Sequence, residues 1–275
     1  HLHGAAQYRL IFEEFFWLEC GLILKRKRAR REPGISFSLT DRVREQIKKM
    51  LPFRPTAAQK RVLGEIAADM KEPFPMLRML QGDVGSGKTL VAAEAAIIAM
   101  ENQYQVAVLA PTEILASQHF LTFKQLLEPL GYQVLLLTGS DSAKAKKQKK
   151  LVIEGGLAHV VVGTHAILRE DVSFEKLGLT IIDEQHRFGV LQRLQLMRKG
   201  VTPDVLVMTA TPIPRTLALT MYGDLEVSVI DEMPAGRKPI LTRMTPKSHI
   251  ERVWSFVRGE IDAGHQAYVV YPMVE

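Results

Sequence analysis

The sequence predicts an α/β fold: a three-layer α/β/α domain built on a mostly parallel sheet. Short apolar runs alternate with longer helical segments, and these runs are apolar on both faces, as in strands that helices cover from both sides. A glycine-rich segment, residues 82–89, separates one such run from the helical segment after it. The predicted strands are residues 76–80, 105–110, 133–138, 159–163, 179–182 and 205–209.

Composition excludes several classes of protein. The 275 residues are 47% hydrophobic and 24% charged, which is typical of a globular chain. The single cysteine, Cys20, excludes a disulfide scaffold and a cysteine-based zinc site. The apolar stretch 91–100 is interrupted by Glu94 and is too short to cross a bilayer. We therefore expect a soluble, cytoplasmic protein, and the His-Leu-His start suggests a piece of a longer one.

Positive charge is concentrated at one end of the chain. Residues 1–50 hold 11 basic and six acidic side chains, an excess of five within a net charge of +6. The basic run 25–31 suits a polyanion such as DNA, but cations also stabilise the C-terminal end of a helix. Both interpretations of this run remain open. A second cluster of lysines, within residues 144–150, is interpreted as a solvated helix face.

The positions of proline and glycine residues, together with helical spacing, predict the domain boundaries. Helical spacing covers residues 7–31 and 41–50, which together form a helical lead-in over residues 1–50. The nucleotide-binding lobe is predicted at 51–232 and a Pro/Gly-rich linker at 233–240. A second α/β unit would begin at 241–275, with a helix near 249–263 and a strand at 267–271.

The glycine-rich segment is the strongest chemical signal in the chain. It matches the phosphate-loop pattern G-x-x-x-x-G-K-[ST], with a predicted strand before it and a helix after it. Its backbone N–H groups would surround the phosphates of a nucleotide, Lys88 would reach the β- and γ-phosphates, and Thr89 would hold Mg²⁺. The residues of this segment are Gly82, Asp83, Val84, Gly85, Ser86, Gly87, Lys88 and Thr89.

Two carboxylates directly follow the apolar run 179–182. Asp183 would reach the Mg²⁺ ion from the end of its strand, and Glu184 would polarise the attacking water. A GTPase would need an Asn-Lys-x-Asp motif, but the only asparagine, Asn102, precedes Gln-Tyr. A small-molecule kinase would usually lack the glutamate. The pattern therefore favours ATP hydrolysis that drives motion, with ATP and Mg²⁺ as cofactors.

Two longer motifs carry a family resemblance. Residues 183–190 read Asp-Glu-Gln-His-Arg-Phe-Gly-Val, and residues 208–217 read Met-Thr-Ala-Thr-Pro-Ile-Pro-Arg-Thr-Leu. The sequence resembles superfamily 2 helicases, most closely the bacterial RecG family of ATP-dependent DNA helicases. Transcription-repair coupling factors share much of both motifs, but Ser86, Gln185 and His186 favour RecG.

The resemblance implies a RecA-like first motor lobe that acts on branched double-stranded DNA in recombination and repair. It also implies an N-terminal wedge domain and a second lobe carrying an arginine for the γ-phosphate. Neither the wedge nor the motifs of the second lobe, including that arginine, are found in these 275 residues, which would hold only the start of the second lobe. The chain alone should therefore hydrolyse ATP poorly. The implied setting is a nucleoid-associated cytoplasmic monomer, with a single-strand DNA-binding protein as partner. The alternatives are a coupling-factor translocase module, which would add an RNA polymerase partner, and a DNA-binding module without turnover.

The resemblance also implies individual roles. Gln59 would bind the adenine edge, and His186, Thr209, Ala210 and Thr211 would couple hydrolysis to DNA. Without the resemblance, the polar residues that follow the strands would be interpreted as helix caps. With it, the residues that would contact DNA phosphates are Pro111, Thr112, Gln118, Thr138, Gly139, Ser140, Gly163, Thr164 and His165.

Overall fold

The computed structural model describes residues 4–29, 33–51, 53–169, 171–183, 202–211, 225–232 and 241–271. The chain divides into two compact units, His1–Ala235 and Gly236–Glu275. No helix among the described residues combines the length and apolar character needed to cross a bilayer.

The first unit alternates strands and helices. Its helices are α1 (Ala5–Ala29), α2 (Asp41–Met50), α3 (Ala57–Asp69), α4 (Lys88–Glu101), α5 (Glu113–Leu127) and α6 (Ala143–Glu154). Its strands are β1 (Leu77–Gly82), β2 (Gln105–Leu109), β3 (Val134–Leu137), β4 (Val160–Gly163), β5 (Leu177–Asp183), β6 (Asp204–Thr209) and β7 (Glu226–Ile230). Short 3₁₀ helices follow α5 at Glu128–Leu130 and β4 at His165–Leu168.

The seven strands form one sheet in the order β3-β4-β2-β5-β6-β1-β7, and every pairing in it is parallel. The fold class predicted from the sequence is confirmed. Central strands such as β2 and β6 are buried along their whole length, because helices cover both faces of the sheet. Their carboxyl ends all meet at one edge, where α/β proteins bind ligands.

Helix α4 lies at the centre of the larger of two apolar clusters. Every residue from 90 to 100 is buried, and all of them except Glu94 are apolar, so the apolar surface of this helix extends around all its sides. It contacts α2, α3 and α5 as well as strands β1, β2 and β5. The second cluster, which includes Met79, Leu109 and Val207, lies on the opposite side of the sheet. The two clusters are the two interfaces of a three-layer domain.

Two elements differ from the sequence prediction. Strand β7 was missed, because at the end of the sheet its pattern is only partly buried and is interrupted by Glu226 and Ser228. The strand predicted at 267–271 is wrong: the structure shows no regular element there. A strand needs a neighbour to complete its hydrogen-bond ladder, and the described residues of the second unit contain no other strand. That unit has a short 3₁₀ helix, Lys247–His249, followed by α7 (Ile250–Asp262).

Helix α1 exists as the apolar spacing predicted, but its large side chains do not pack into a core. Phe12, Phe15 and Trp17 are all more than 60% exposed. Residues 30 and 31 of the basic run lie outside the described residues.

Candidate active site at the carboxyl edge of the sheet

The phosphate loop, residues 82–89, connects the end of β1 to the start of α4. Gly85 and Gly87 have φ angles of 82° and 94°, a left-handed conformation that glycine adopts without steric cost. Gly87 is also the N-cap of α4, so no side chain caps the first N–H groups of this helix. These donors and the positive end of the helix dipole form a binding site for an anion.

Close packing makes small residues necessary in this loop. A Cβ atom on Gly87 would lie 2.2 Å from Nε2 of Gln59, and one on Gly82 would lie 2.6 Å from Oγ of Ser86. The Ser86 hydroxyl oxygen is buried and has no hydrogen-bond partner among the described residues. A glycine-lined loop with an unsatisfied buried hydroxyl and a helix N-terminus fits a phosphate group.

Lys88 and Thr89 begin the first turn of α4, and both are half-buried. The Lys88 ammonium donates to the carbonyl oxygens of Gly82, at 2.7 Å, and Asp83, at 3.0 Å. These bonds hold the positive charge against the phosphate loop itself, where it can reach the phosphates of a nucleotide.

Gln59 has a structural role that the sequence did not predict. Its side chain is fully buried; the Oε1 atom accepts from the Thr56 N–H at 2.9 Å, and Nε2 donates to the Ser86 carbonyl at 2.8 Å. The first bond belongs to a capping box that begins α3. The second bond ties that helix to the phosphate loop. Adenine recognition by Gln59 stays a prediction.

Asp183 ends β5 and contacts a residue that sequence reasoning missed. Its Oδ2 lies 2.6 Å from Nε2 of His119 on α5, and both side chains are nearly buried. A carboxylate can only accept, so the imidazole donates in this hydrogen bond. The sequence held one signal: His119 shares a helical face with Ala116, Phe123 and Leu127, all buried.

Strand β6 connects the carboxylate to the phosphate loop. It lies between β5 and β1, with Asp183 opposite Met208 and Gln81 opposite Thr209. The buried Thr209 hydroxyl is 2.8 Å from the Thr211 hydroxyl and accepts the Thr211 N–H at 3.2 Å. Ala210 lies between these threonines. Glu184 and His186 lie outside the described residues.

The candidate DNA residues follow β2, β3 and β4, three adjacent strands. After β2, Pro111 precedes Thr112, which caps α5 by accepting the Leu115 N–H at 3.3 Å; Gln118 is exposed on the same helix. Thr112 thus has the capping role that the residues alone indicated.

The turn after β3 is held by hydrogen bonds within the turn and by a hydrogen bond to helix α5. The Thr138 N–H donates to Asp141 at 2.9 Å, and the Thr138 and Ser140 hydroxyls are 3.0 Å apart. The Ser140 N–H donates to Glu113 of α5 at 3.0 Å, and Gly139 lies beside that carboxylate. This turn is therefore fixed to the start of α5.

The residues after β4 include a glycine that strand pairing requires and a buried threonine at the start of a 3₁₀ helix. A Cβ on Gly163 would lie 2.0 Å from the Leu137 carbonyl oxygen, so this glycine allows β3 and β4 to pair. Thr164 occupies the N-cap position of the 3₁₀ helix His165–Leu168, yet within the described part of the chain its side chain caps no N–H. His165 is exposed. Thr164 therefore has a hydroxyl that helix capping does not use.

All these loops lie along one edge of the sheet, and comparison with known proteins identifies the family. A family profile described as DEAD/DEAH box helicase matches residues 56–220. The chain belongs to the DEAD/DEAH box helicase family. Its fold is accordingly the RecA-like fold of these helicases.

Within this helicase family, the resemblance to RecG is confirmed over nearly the whole chain. The chain is 45% identical over 269 residues to the ATP-dependent DNA helicase RecG of Aquifex aeolicus, covering 97% of this chain and 34% of the relative. It is 48% identical over 275 residues to RecG of Escherichia coli O157:H7, covering 98% and 40%. The chain spans between a third and two fifths of the length of these relatives.

A solved structure described as RecG bound to a three-way DNA junction has the same fold. Its TM-score is 0.85 at 44% sequence identity, and the match covers 97% of this chain and 36% of that chain.

Proposed function

We propose that this chain is the nucleotide-binding motor lobe of an ATP-dependent DNA helicase that translocates on branched duplex DNA. The main support is that one sheet edge carries the phosphate loop, Asp183 and the three loops after β2, β3 and β4. The similarity to RecG helicases supports branched DNA as the substrate, as at forks and Holliday junctions in recombination and repair.

The phosphate loop and the residues near it contact different parts of the bound ATP. The backbone N–H groups of residues 82–89 bind the phosphates, and the Lys88 ammonium neutralises charge on them. The Thr89 hydroxyl and the Asp183 carboxylate hold Mg²⁺, which supplies further charge neutralisation at the transferred phosphate. Glu184 orients and deprotonates the attacking water, and Gln59 binds the adenine edge.

The hydrolysis site and the DNA loops are proposed to communicate through two routes. Strand β6 ends in Thr209, between the strands of Asp183 and the phosphate loop, and Thr211 follows with Ala210 in the turn. His186 belongs to the same coupling group. The second route is α5, which carries His119 beside Asp183 and is capped at its N-terminus by Thr112.

The remaining predictions concern organisation and partners. We propose that residues 1–50 lead from a wedge domain, that residues 51–232 form the first lobe, and that 241–275 begin a second lobe after the 233–240 linker. The protein would act as a monomer on DNA in the cytoplasm, in the nucleoid, with a single-strand DNA-binding protein as partner.

Two substitutions test the role assignment. Lys88→Ala should weaken binding of a fluorescent ADP·Mg²⁺ analogue, because it removes the cation that lies against the phosphates. Glu184→Gln should bind it normally yet block single-turnover hydrolysis in the longer protein, because it keeps the shape and removes the base. Lys147→Ala, an exposed lysine, is the matched control.

An equal loss of nucleotide affinity in both variants would overturn these roles, and a wild-type chain that binds no nucleotide would overturn the function. The 275-residue chain itself should hydrolyse ATP slowly, because the arginine that the second lobe is expected to supply to the γ-phosphate is not among these residues. Such an arginine is worth about 10³–10⁵ in rate.

A further inference from the structure

The segment that ends strand β7 lies beside the start of the phosphate loop. Ile230 is the last residue of β7 and is paired in register with Gly82, the first residue of the loop. A Cβ atom on Gly82 would lie 3.2 Å from the Ile230 carbonyl oxygen, so the two backbones are closely packed there. Asp231 and Glu232 come next; both are exposed, and they are the last described residues before the predicted linker 233–240.

Glu232 completes the N-terminus of helix α3. The first N–H groups of a helix have no partner within the helix, and a buried N–H without a partner is costly. Thr56 accepts the N–H of Gln59 in the capping box. The Glu232 carboxylate accepts the N–H of the buried residue Ala58 at 3.0 Å, and its charge also interacts favourably with the helix dipole. The start of α3 therefore depends on a carboxylate that lies 174 residues away in the chain.

Arg61, about one turn further along α3, binds the same segment. Its guanidinium donates to the Val229 carbonyl at 3.0 Å and to the Asp231 carboxylate at 2.9 Å. The Asp231 side chain is 70% exposed, and exposed ion pairs contribute little to stability. We therefore expect Glu232 to fix the start of α3 more firmly than Asp231 does.

The first turn of α3 is also bonded to the phosphate loop. The Gln59 side chain donates from Nε2 to the Ser86 carbonyl at 2.8 Å, and the same atom lies 2.2 Å from the position of a Cβ on Gly87. Gln59 is fully buried, and its Oε1 atom accepts the Thr56 N–H, so a shift of the helix start moves or breaks its bond to the loop. The positions of residues 86 and 87 therefore depend on how the first turn of α3 is held.

We propose that Glu232 is a positioning residue for the nucleotide site, acting through the first turn of α3 and Gln59 on the phosphate loop. The proposal rests on the proposed function and deepens it, because nucleotide affinity then depends on the residue immediately before the predicted linker between the lobes. The direction in which the chain leaves the first lobe and the position of the phosphate loop are thereby coupled, and such coupling is reciprocal.

The variant Glu232→Ala tests the proposal, with affinities for ADP·Mg²⁺ and for inorganic tripolyphosphate with Mg²⁺ measured by calorimetry. The variant removes the acceptor of the Ala58 N–H, so both affinities should fall by about fivefold or more, the lower end of typical coupling. Glu232→Gln keeps an acceptor oxygen and should recover most of the loss. Asp231→Ala should change both affinities by less than about twofold, because it removes only an exposed ion pair.

The matched control is Glu72→Ala, which removes an exposed glutamate just beyond the other end of α3. Its affinity for both ligands should equal that of the wild type. All affinities are measured at a temperature where circular dichroism shows every variant to be folded. Loss of one helix cap is a small part of the stability of a domain, so we expect Glu232→Ala to meet this condition.

The combination of ligands and variants gives distinct outcomes. A loss of both affinities in Glu232→Ala, with recovery in Glu232→Gln, supports the positioning role. Wild-type affinities in a folded Glu232→Ala overturn it, because Glu232 would then only stabilise the helix, and an equal loss in Glu232→Gln overturns the hydrogen bond as its cause.

A Glu232→Ala variant that loses affinity for ADP but not for tripolyphosphate also overturns the proposal, since the effect would then concern adenine recognition and not the phosphate loop. A wild-type chain that binds neither ligand contradicts the proposed function itself. The two failures are therefore distinguishable.

Discussion

The two halves of the functional edge are built in different ways. In the nucleotide half, Gln59 and Thr209 are almost fully buried, and the site residues bind one another or the backbone of the phosphate loop. In the DNA half, Gln118 and His165 are exposed, and several neighbouring polar groups cap helices or turns. The nucleotide half therefore depends on backbone conformation and buried hydrogen bonds, whereas the DNA half presents exposed polar side chains.

Substitution of Gly87 should have the largest effect, because it breaks the backbone conformation itself. Gly87→Ala meets a left-handed φ of 94° and a contact of 2.2 Å with Gln59. Strain and overpacking together cost roughly 2–5 kcal/mol, which the chain can relieve by moving the phosphate loop or by breaking the hydrogen bonds of the Gln59 amide to Thr56 and Ser86. We expect ADP·Mg²⁺ affinity, measured by calorimetry, to fall by more than tenfold.

Gly131→Ala is the matched control for this substitution. Gly131 has a φ of 92°, but in the described part of the chain no atom lies within 4 Å of its added Cβ. It should lose only the roughly 1–2 kcal/mol of backbone strain and keep its nucleotide affinity. Similar nucleotide affinity in the two variants would show that the contact with Gln59 is unimportant.

Substitution of His119 tests whether the nucleotide half and the DNA half of the functional edge depend on a common residue. His119→Ala should lower the contribution of Mg²⁺ to nucleotide affinity by about 10- to 100-fold, the usual cost of removing the partner of a metal ligand. His119→Gln should recover part of it, since its amide can donate to Asp183 from a similar position. The readout is ADP affinity with Mg²⁺ and with EDTA. An equal change in both conditions would indicate a merely structural role.

Asp204, at the opposite edge of the sheet, should affect stability and leave the site intact. Burial raises the pKa of Asp204 to about 8, although the hydrogen bond from the Met76 N–H lowers it. Between about pH 4 and 8 the folded chain therefore holds a proton that the unfolded chain has lost, and the free energy of unfolding falls as pH rises. Asp204→Asn should remove this part of the slope, at most about 1.4 kcal/mol per pH unit.

Urea denaturation between pH 5 and 8 measures this effect. Burial also raises the pKa of Glu94 to about 7, so the asparagine variant should keep a weaker slope of the same sign. Glu94→Gln should remove that remaining part. An unchanged slope in Asp204→Asn would mean that Asp204 is ionised in the folded chain.

The smallest expected effects distinguish capping from DNA contact among the threonines. Thr112→Ala should lower the free energy of unfolding by about 1 kcal/mol, because it removes the N-cap of α5, and Thr112→Ser should restore it. Thr164→Ala loses no cap and should instead weaken duplex binding. If Thr164→Ala costs as much stability as Thr112→Ala and leaves DNA affinity unchanged, Thr164 is structural.

Local sequence patterns were sufficient to predict most of the fold and the phosphate loop. The six predicted strands between residues 76 and 209 are present, because strands buried on both faces show continuous apolar runs. Prediction from the sequence failed where the presence of a strand depends on its position beside other strands. Strand β7 is half-exposed at the sheet end, and residues 267–271 have no partner strand among the described residues.

The sequence by itself determined the phosphate loop, because glycine conformations, a lysine and a helix start are all properties of eight consecutive residues. It also determined that Asp183 ends a buried strand. Only the tertiary structure decided that His119 lies beside Asp183, 64 residues away in the chain, and that Gln59 holds the Ser86 carbonyl. It also decided which lysines of α6 are exposed and which are half-buried. The physical reason is that such contacts depend on which face of a helix packs against the sheet, and helix facing is set by the whole core.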